Sequence, residues 1–209
     1  MPYKHIATIV LLFMLLPILA IAQSDWKQAT SKNGKVRITY KLETVKGRDG
    51  SERVMAQYIA KGLVPVQLAS AEKFLRNSAN YKHFLDNTEV SKTVDTINAN
   101  EWLLYLMMDI PWPMPDADCV QQVSVTKTEK ELIVNAVAKP NAYALQGEER
   151  MEISDSKYHF VQNTSGAVEL TVTGRFAPSS AVKKFMLETW FPNGPADLID
   201  RLVKSINAQ

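Results

Sequence analysis

Apolar and polar residues alternate with a period of two over most of this chain, and the pattern changes to helical spacing in two places. The first alternating segments are Trp26–Thr30, Val36–Leu42 and Arg53–Ile59, separated by the turn residues Asn33-Gly34 and Arg48-Asp49-Gly50. Val66, Ala69, Phe74, Tyr81, Phe84 and Leu85 then recur at helical spacings in a stretch without proline or glycine, which predicts helices over Val66–Asn77 and Ala79–Asn87. Strand-like runs resume at Glu89–Ile97, Glu101–Ile110, Cys119–Lys127, Glu131–Ala138, Arg150–Asp155, Tyr158–Gln162 and Val168–Phe176. Ser179–Gln209 reads as helical again, with Ser179 and Ser180 as candidate caps and Pro192-Asn-Gly-Pro195 as an interruption. Beyond it, Leu198, Ile199, Leu202, Val203 and Ile206 form an apolar stripe, with Asp197, Asp200, Arg201 and Lys204 on the other side. Such a helix needs an apolar surface to lie on, and the sheet is the large one available. The fold class is therefore α+β: an antiparallel sheet of about 8–9 strands, two short helices after the third strand, and a long C-terminal helix.

The strand parities single out one inward face. Along Glu101–Trp112 the even positions Trp102, Leu104, Leu106, Met108, Ile110 and Trp112 are all apolar. Val123 and Val125 continue that face, then Leu132, Val134 and Ala136, then Met151 and Ile153; Val182, Phe185, Met186 and Trp190 point the same way from the last helical segment. Methionine is flexible and polarisable, so it suits a wall that accepts variable apolar ligands as well as an ordinary filled core. The residues alone leave both readings open.

The N-terminus changes the compartment. Ile6–Ala22 contains no charged residue, and Ala20-Ile21-Ala22 supplies the small-x-small pattern of a cleavage site, so residues 1–22 are expected to be a signal peptide removed after Ala22. The expected mature domain, residues 23–209, is exported, periplasmic or secreted. The whole chain carries 24 basic and 22 acidic side chains, and the leader holds one lysine and no acid. The remainder is therefore close to neutral, without a broad field for nucleic acid or an anionic membrane. Cys119 is the single cysteine, so no internal disulfide forms and packing must carry stability.

Between two strand-like runs lies Asp109-Ile-Pro-Trp-Pro-Met-Pro-Asp-Ala-Asp118. Its prolines cannot donate to a sheet ladder and so end the first strand. Pro111, Trp112, Pro113 and Asp118 resemble the signature of START domains, lipid-binding modules of the helix-grip type. Ala117 stands where that family usually has arginine, so Asp118 needs another partner, for which Arg150 is the candidate. Arg150 also resembles the family's arginine-bearing strand, whereas Ala177-Pro-Ser-Ser180 lacks the glycines usual before the last helix. The resemblance implies a sheet wrapped around the C-terminal helix with a cavity between them, in an exported bacterial branch of the family.

Candidate lining residues for that cavity are Trp102, Leu104, Leu106, Met108, Val123, Val134, Arg150, Met151, Ile153, Val182, Phe185, Met186 and Trp190. The expected ligand is a lipid or other apolar small molecule held by a monomer, with transient membrane contact and no nucleic acid. No catalytic residue, cofactor or metal site is expected. His83 and His159 lie in different elements, and no nucleophile elbow, phosphate loop or zinc motif is present. Asp109, Asp116 and Asp118 read as support for backbone amides around the prolines. Two alternatives remain: a pocketless interaction module of the envelope, and a cyclase or hydrolase of the same fold.

Overall fold

The structure, a computed structural model, describes residues 25–110 and 115–209. The expected signal peptide at residues 1–22 and the central residues of the Trp-Pro stretch, 111–114, lie outside the described residues. Strands β1 (Lys27–Thr30), β2 (Val36–Lys46) and β3 (Glu52–Val64) form a meander. Helix α1 (Leu68–Arg76) and a 3-10 helix (Ser78–His83) carry the chain to the far edge of the sheet. Strands β4 (Thr88–Asn98), β5 (Glu101–Met108), β6 (Ala117–Lys127) and β7 (Glu131–Ala138) return, followed by β8 (Glu149–Arg150), β9 (Ile153–Gln162) and β10 (Val168–Ala177). Helices α2 (Lys184–Glu188) and α3 (Asn193–Asn207) end the chain. The sheet order is β1-β2-β3-β10-β9-β7-β6-β5-β4, antiparallel throughout except for β8, which pairs parallel to β6.

One parity of this register builds the core. Ile38 pairs with Ala60, Val172 with both Ala60 and Tyr158, Tyr158 with Val134, and Val134 with Val125, so a continuous apolar row crosses five neighbouring strands and reaches a sixth. A one-residue slip anywhere would move these side chains to the other face. Helix α3 buries Leu198, Ile199, Leu202 and Ile206 against that face. Phe74, Leu75, Tyr81 and Phe84 fill the space beside it.

Three differences from the sequence reading have physical causes. The segment after Asn77 is a single 3-10 helix, not an α-helix to Asn87. Its side chains cap α1 instead: Asn80 Nδ2 donates to Phe74 O at 2.9 Å and Tyr81 Oη to Leu75 O at 3.0 Å. The runs Arg150–Asp155 and Tyr158–Gln162 mostly join into the continuous strand β9. They read as separate because Ser154 and Ser156 occupy inward positions, interrupting the apolar alternation. Residues 178–183 are not helical, and the Pro192-Asn-Gly-Pro195 stretch begins α3 instead of interrupting a longer helix. Pro195 fits because amides of the first helical turn have no intrahelical partner to lose.

Leu202 is fully buried where α3 meets the sheet. Leu202→Ala is expected to cost about 2–5 kcal/mol in urea unfolding. A loss below about 1 kcal/mol would mean that α3 is not docked as described.

Candidate functional site

The helices do not cover the whole inward face. Between the β5–β6 end of the sheet and the α2–α3 segment lies a hollow of about 450 Å³. Its apolar walls are Leu106 and Met108 of β5, Phe176 of β10, Met151 before β9, and Met186 and Trp190 of the α2 region. Leu198 of α3 and Leu85 close other sides, and Ile110 and Pro115 flank it where the chain passes outside the described residues. A second, more open hollow of about 690 Å³ lies near Pro65, Gly166 and Ile206, beside the exposed Leu63 and the end of α3.

Two glycines set the position of the aromatic wall. Gly174 of β10 pairs directly with Tyr58 of β3, and a Cβ there would sit 2.2 Å from the Tyr58 ring. The missing side chain lets the tyrosine lie across the neighbouring strand. Gly194 does the same for Trp190, whose indole would be 1.9 Å from a Cβ. Trp190 then meets Tyr58 edge-on at 5.5 Å between centroids and Phe176 at 5.5 Å, while Phe191 stacks on Tyr40 at 4.1 Å. These contacts pin the start of α3 to β2, β3 and β10.

The polar side of the hollow comes from β3, β6 and β9. Gln121 is buried and donates from Nε2 to Ser154 O at 2.6 Å. Tyr158 hydrogen-bonds Ser156 and is pushed up to about 12, principally by burial. Burial also raises the Tyr58 hydroxyl well above the ordinary phenol range. Charged residues at the hollow are paired: Asp155 with Arg175 at 2.5 Å, and Asp86 with Arg201 at 3.5 Å, both partly exposed. Among the described residues no cluster of histidine, cysteine and carboxylate side chains has a geometry that would hold a metal ion.

Leu106, Met108, Met151, Met186 and Trp190 are brought together around the hollow. Trp102, Leu104, Val123 and Val134 share the inward face but belong to the filled core. Ile153 falls on the opposite parity, because the inward positions of β9 are Ser154, Ser156, Tyr158 and Phe160. Val182 is half-buried away from the hollow, and Phe185 is 60% exposed on the outer side of α2. Tyr58, Gln121, Ser154, Ser156, Tyr158 and Phe176 were not among the expected residues. Gly174 inside an apolar strand is the sequence signal that points to a close approach there.

Arg150 does not face the hollow. Its guanidinium forms a two-pronged pair with Asp118, Nε to Oδ1 and Nη2 to Oδ2, the latter at 2.9 Å. Both side chains are almost fully buried. The same guanidinium donates to Pro140 O, Tyr143 O at 3.0 Å and Ala144 O at 3.2 Å, clamping the β7–β8 loop over the outer face of β5 and β6. Tyr143 thereby covers Tyr105 at 5.4 Å between rings, and Lys92 Nζ lies 5.2 Å from the Tyr105 centroid. Asp116 accepts from Ile110 N at 3.1 Å, a backbone-support role of the kind expected for the acids near the prolines.

A sheet gripping a C-terminal helix, with a hollow beneath the segment leading into that helix, is the helix-grip fold of START domains. Solved structures with this fold include a STAR-related lipid transfer protein from Xanthomonas axonopodis, 16% identical, with TM-score 0.68 over 88% of this chain and 99% of that one. Human StAR-related lipid transfer protein 5 is 14% identical, with TM-score 0.68 over 97% of this chain and 93% of that one. The Zhui aromatase/cyclase from Streptomyces is more distant, 10% identical, with TM-score 0.53 over 73% of this chain and 94% of that one. No family model and no curated protein matches the sequence. The START resemblance drawn from the Trp-Pro stretch is thus borne out at the level of the fold.

Two outcomes test this geometry. Asp118→Ala leaves the buried Arg150 without its counter-ion and is expected to cost about 3–5 kcal/mol in chemical denaturation; a cost below about 1 kcal/mol would remove the clamp from the account. Burial raises the Cys119 thiol from its ordinary 9.0 to about 12. From pH 9.0 up to about 12 the unfolded chain gives up this proton while the folded chain keeps it. Stability contributed by the neutral thiol is therefore lost as pH rises through that window. Cys119→Ala is expected to flatten the alkaline fall in stability, and the native thiol should resist Ellman's reagent at pH 8 until the protein is unfolded.

Proposed function

We propose that this protein is an exported binding protein that holds one lipid or other apolar molecule in the hollow between its sheet and its C-terminal helical segment. The observation that carries the reading is the hollow itself: about 450 Å³, within the usual size of small-molecule sites, walled by aliphatic, methionine and aromatic side chains. Each ligand methylene moved from water into it contributes about 0.8 kcal/mol. The lipid transfer proteins that share the fold support a lipid as the occupant. Catalysis of the cyclase or hydrolase kind needs titratable groups free to act in the hollow. The charged ones described there are engaged in ion pairs, which supports binding over acid–base chemistry. The charge-free stretch Ile6–Ala22 supports action outside the cytoplasm; the protein acts there as a monomer that meets membranes transiently. Phe185, exposed on the outer side of α2 beside Lys183 and Lys184 and next in sequence to Met186 of the hollow's wall, is the candidate point of that contact.

Native mass spectrometry of protein purified from its own host, followed by lipid extraction, is expected to reveal a reproducible apolar occupant. Met186→Trp, which fills the hollow from a half-buried position, should lower that occupancy at least five-fold while the fold persists by circular dichroism. A protein that is empty on isolation and also fails to take up Nile red would overturn the reading in favour of a pocketless interaction module.

Membrane contact has its own readout. Phe185→Ala is expected to slow uptake of a fluorescent lipid from anionic vesicles several-fold and to leave affinity for the same lipid added in detergent unchanged. Equal uptake rates would place the contact elsewhere.

A further inference from the structure

The identity of the polar groups inside the hollow, and not its size, points to the ligand class. Tyr58 is almost fully buried, and its hydroxyl has no hydrogen-bond partner among the described residues. It is not sealed in by protein atoms: the tip of the ring lies over Gly174, 2.6 Å from where a Cβ would stand, and both residues line the hollow. A hydroxyl so deeply placed and without a protein partner is left open to a ligand's polar group. The aromatic contacts with Trp190 and Phe191 hold it there.

The groups around it are uncharged. Ser156 stands beside Gly174 in the register, one strand further on, and is bonded to Tyr158. Ser154 and Gln121 bond each other. The charged groups at the hollow are engaged: Asp155 with Arg175, and Arg201, a lining residue, with Asp86 and with Phe84 O, to which its Nε donates at 3.0 Å. Arg150, the cation that sequence reading placed in this wall, is spent on Asp118 and the β7–β8 loop. A carboxylate or phosphate seated inside would therefore lose its hydration and meet no free counter-charge. A hydroxyl, ester or amide would lose much less and gain the waiting Tyr58 hydroxyl.

We propose that the hollow selects apolar molecules whose single inward polar group is uncharged, an alcohol, ester or amide, and seats that group against the Tyr58 hydroxyl beside Ser156. The proposal rests on the reading of the hollow as a ligand site, and the test separates the two. Dodecanol, dodecane and dodecanoate would be compared at pH 8 as competitors of bound Nile red, a neutral dye. Dodecanol is expected to compete best, roughly five-fold better than dodecane, the difference that one neutral hydrogen bond makes. Dodecanoate should be the weakest of the three by ten-fold or more. Tyr58→Phe removes only the hydroxyl and is expected to erase the advantage of dodecanol over dodecane without lowering thermal stability. Dodecanoate competing as well as dodecanol would overturn the selectivity, as would a dodecanol advantage that survives Tyr58→Phe. Nile red failing to bind at all would instead remove the ligand site on which the selectivity rests.

Discussion

A single antiparallel sheet with one apolar face cannot stay in water uncovered, and the way this chain covers that face decides everything else about it. The register puts the even positions of β2, β3, β5, β7, β9 and β10 and the odd positions of β6 on the same side. That side is wider than one helix. Helix α3, α1 and the 3-10 helix fill part of it with Leu202, Ile199, Phe74 and Phe84. The short α2, packed against β2 and β3, spans the remainder, and the hollow is what is left.

The boundary between filled core and hollow is held by aromatic rings lying on glycines. Trp190 rests on Gly194 at the start of α3, and Tyr58 rests on Gly174 across the strand pair. Each glycine permits an approach that a methyl group would block, and together they fix how far α3 slides toward the β5–β6 end. Polar residues then become tolerable on the inward face. Gln121, Ser154 and Ser156 stand where an ordinary core would carry valine or leucine, and they bond one another or Tyr158.

The outer face of β5 and β6 poses a separate problem, because Leu103, Tyr105 and Val120 are apolar and point away from the helices. The β7–β8 loop solves it. Arg150 gathers three carbonyls of that loop and locks onto Asp118, which lies in the strand beneath. A buried ion pair of this kind carries its own desolvation cost, and its value here is geometric: the two-pronged pairing fixes one loop position. The β5–β6 wall of the hollow is thereby supported from behind.

Much of this was legible from local pattern. Period-two alternation located nearly every strand, helical spacing located α1 and the stripe of α3, and the Trp-Pro stretch with Asp118 pointed to the START fold. The partner of Asp118 was also legible, since a buried acid without its neighbouring arginine needs another cation, and Arg150 supplies it. The occupants of the hollow's wall were not. Trp102, Leu104, Val123 and Val134 carry the same alternation as Leu106 and Met108, and only the place where α3 and α1 come to rest separates core from cavity. Ile153 missed because an irregular lead into β9 shifts its parity, which no local pattern records. Tyr58 and Ser156, 98 positions apart in the chain, meet the same hollow only because β3, β10 and β9 lie side by side. The chain by itself determined which residues dislike water and where the backbone must turn. Long-range strand order and helix docking decided which of those apolar surfaces touch each other and which enclose empty space, because that depends on distances between elements that no single segment encodes.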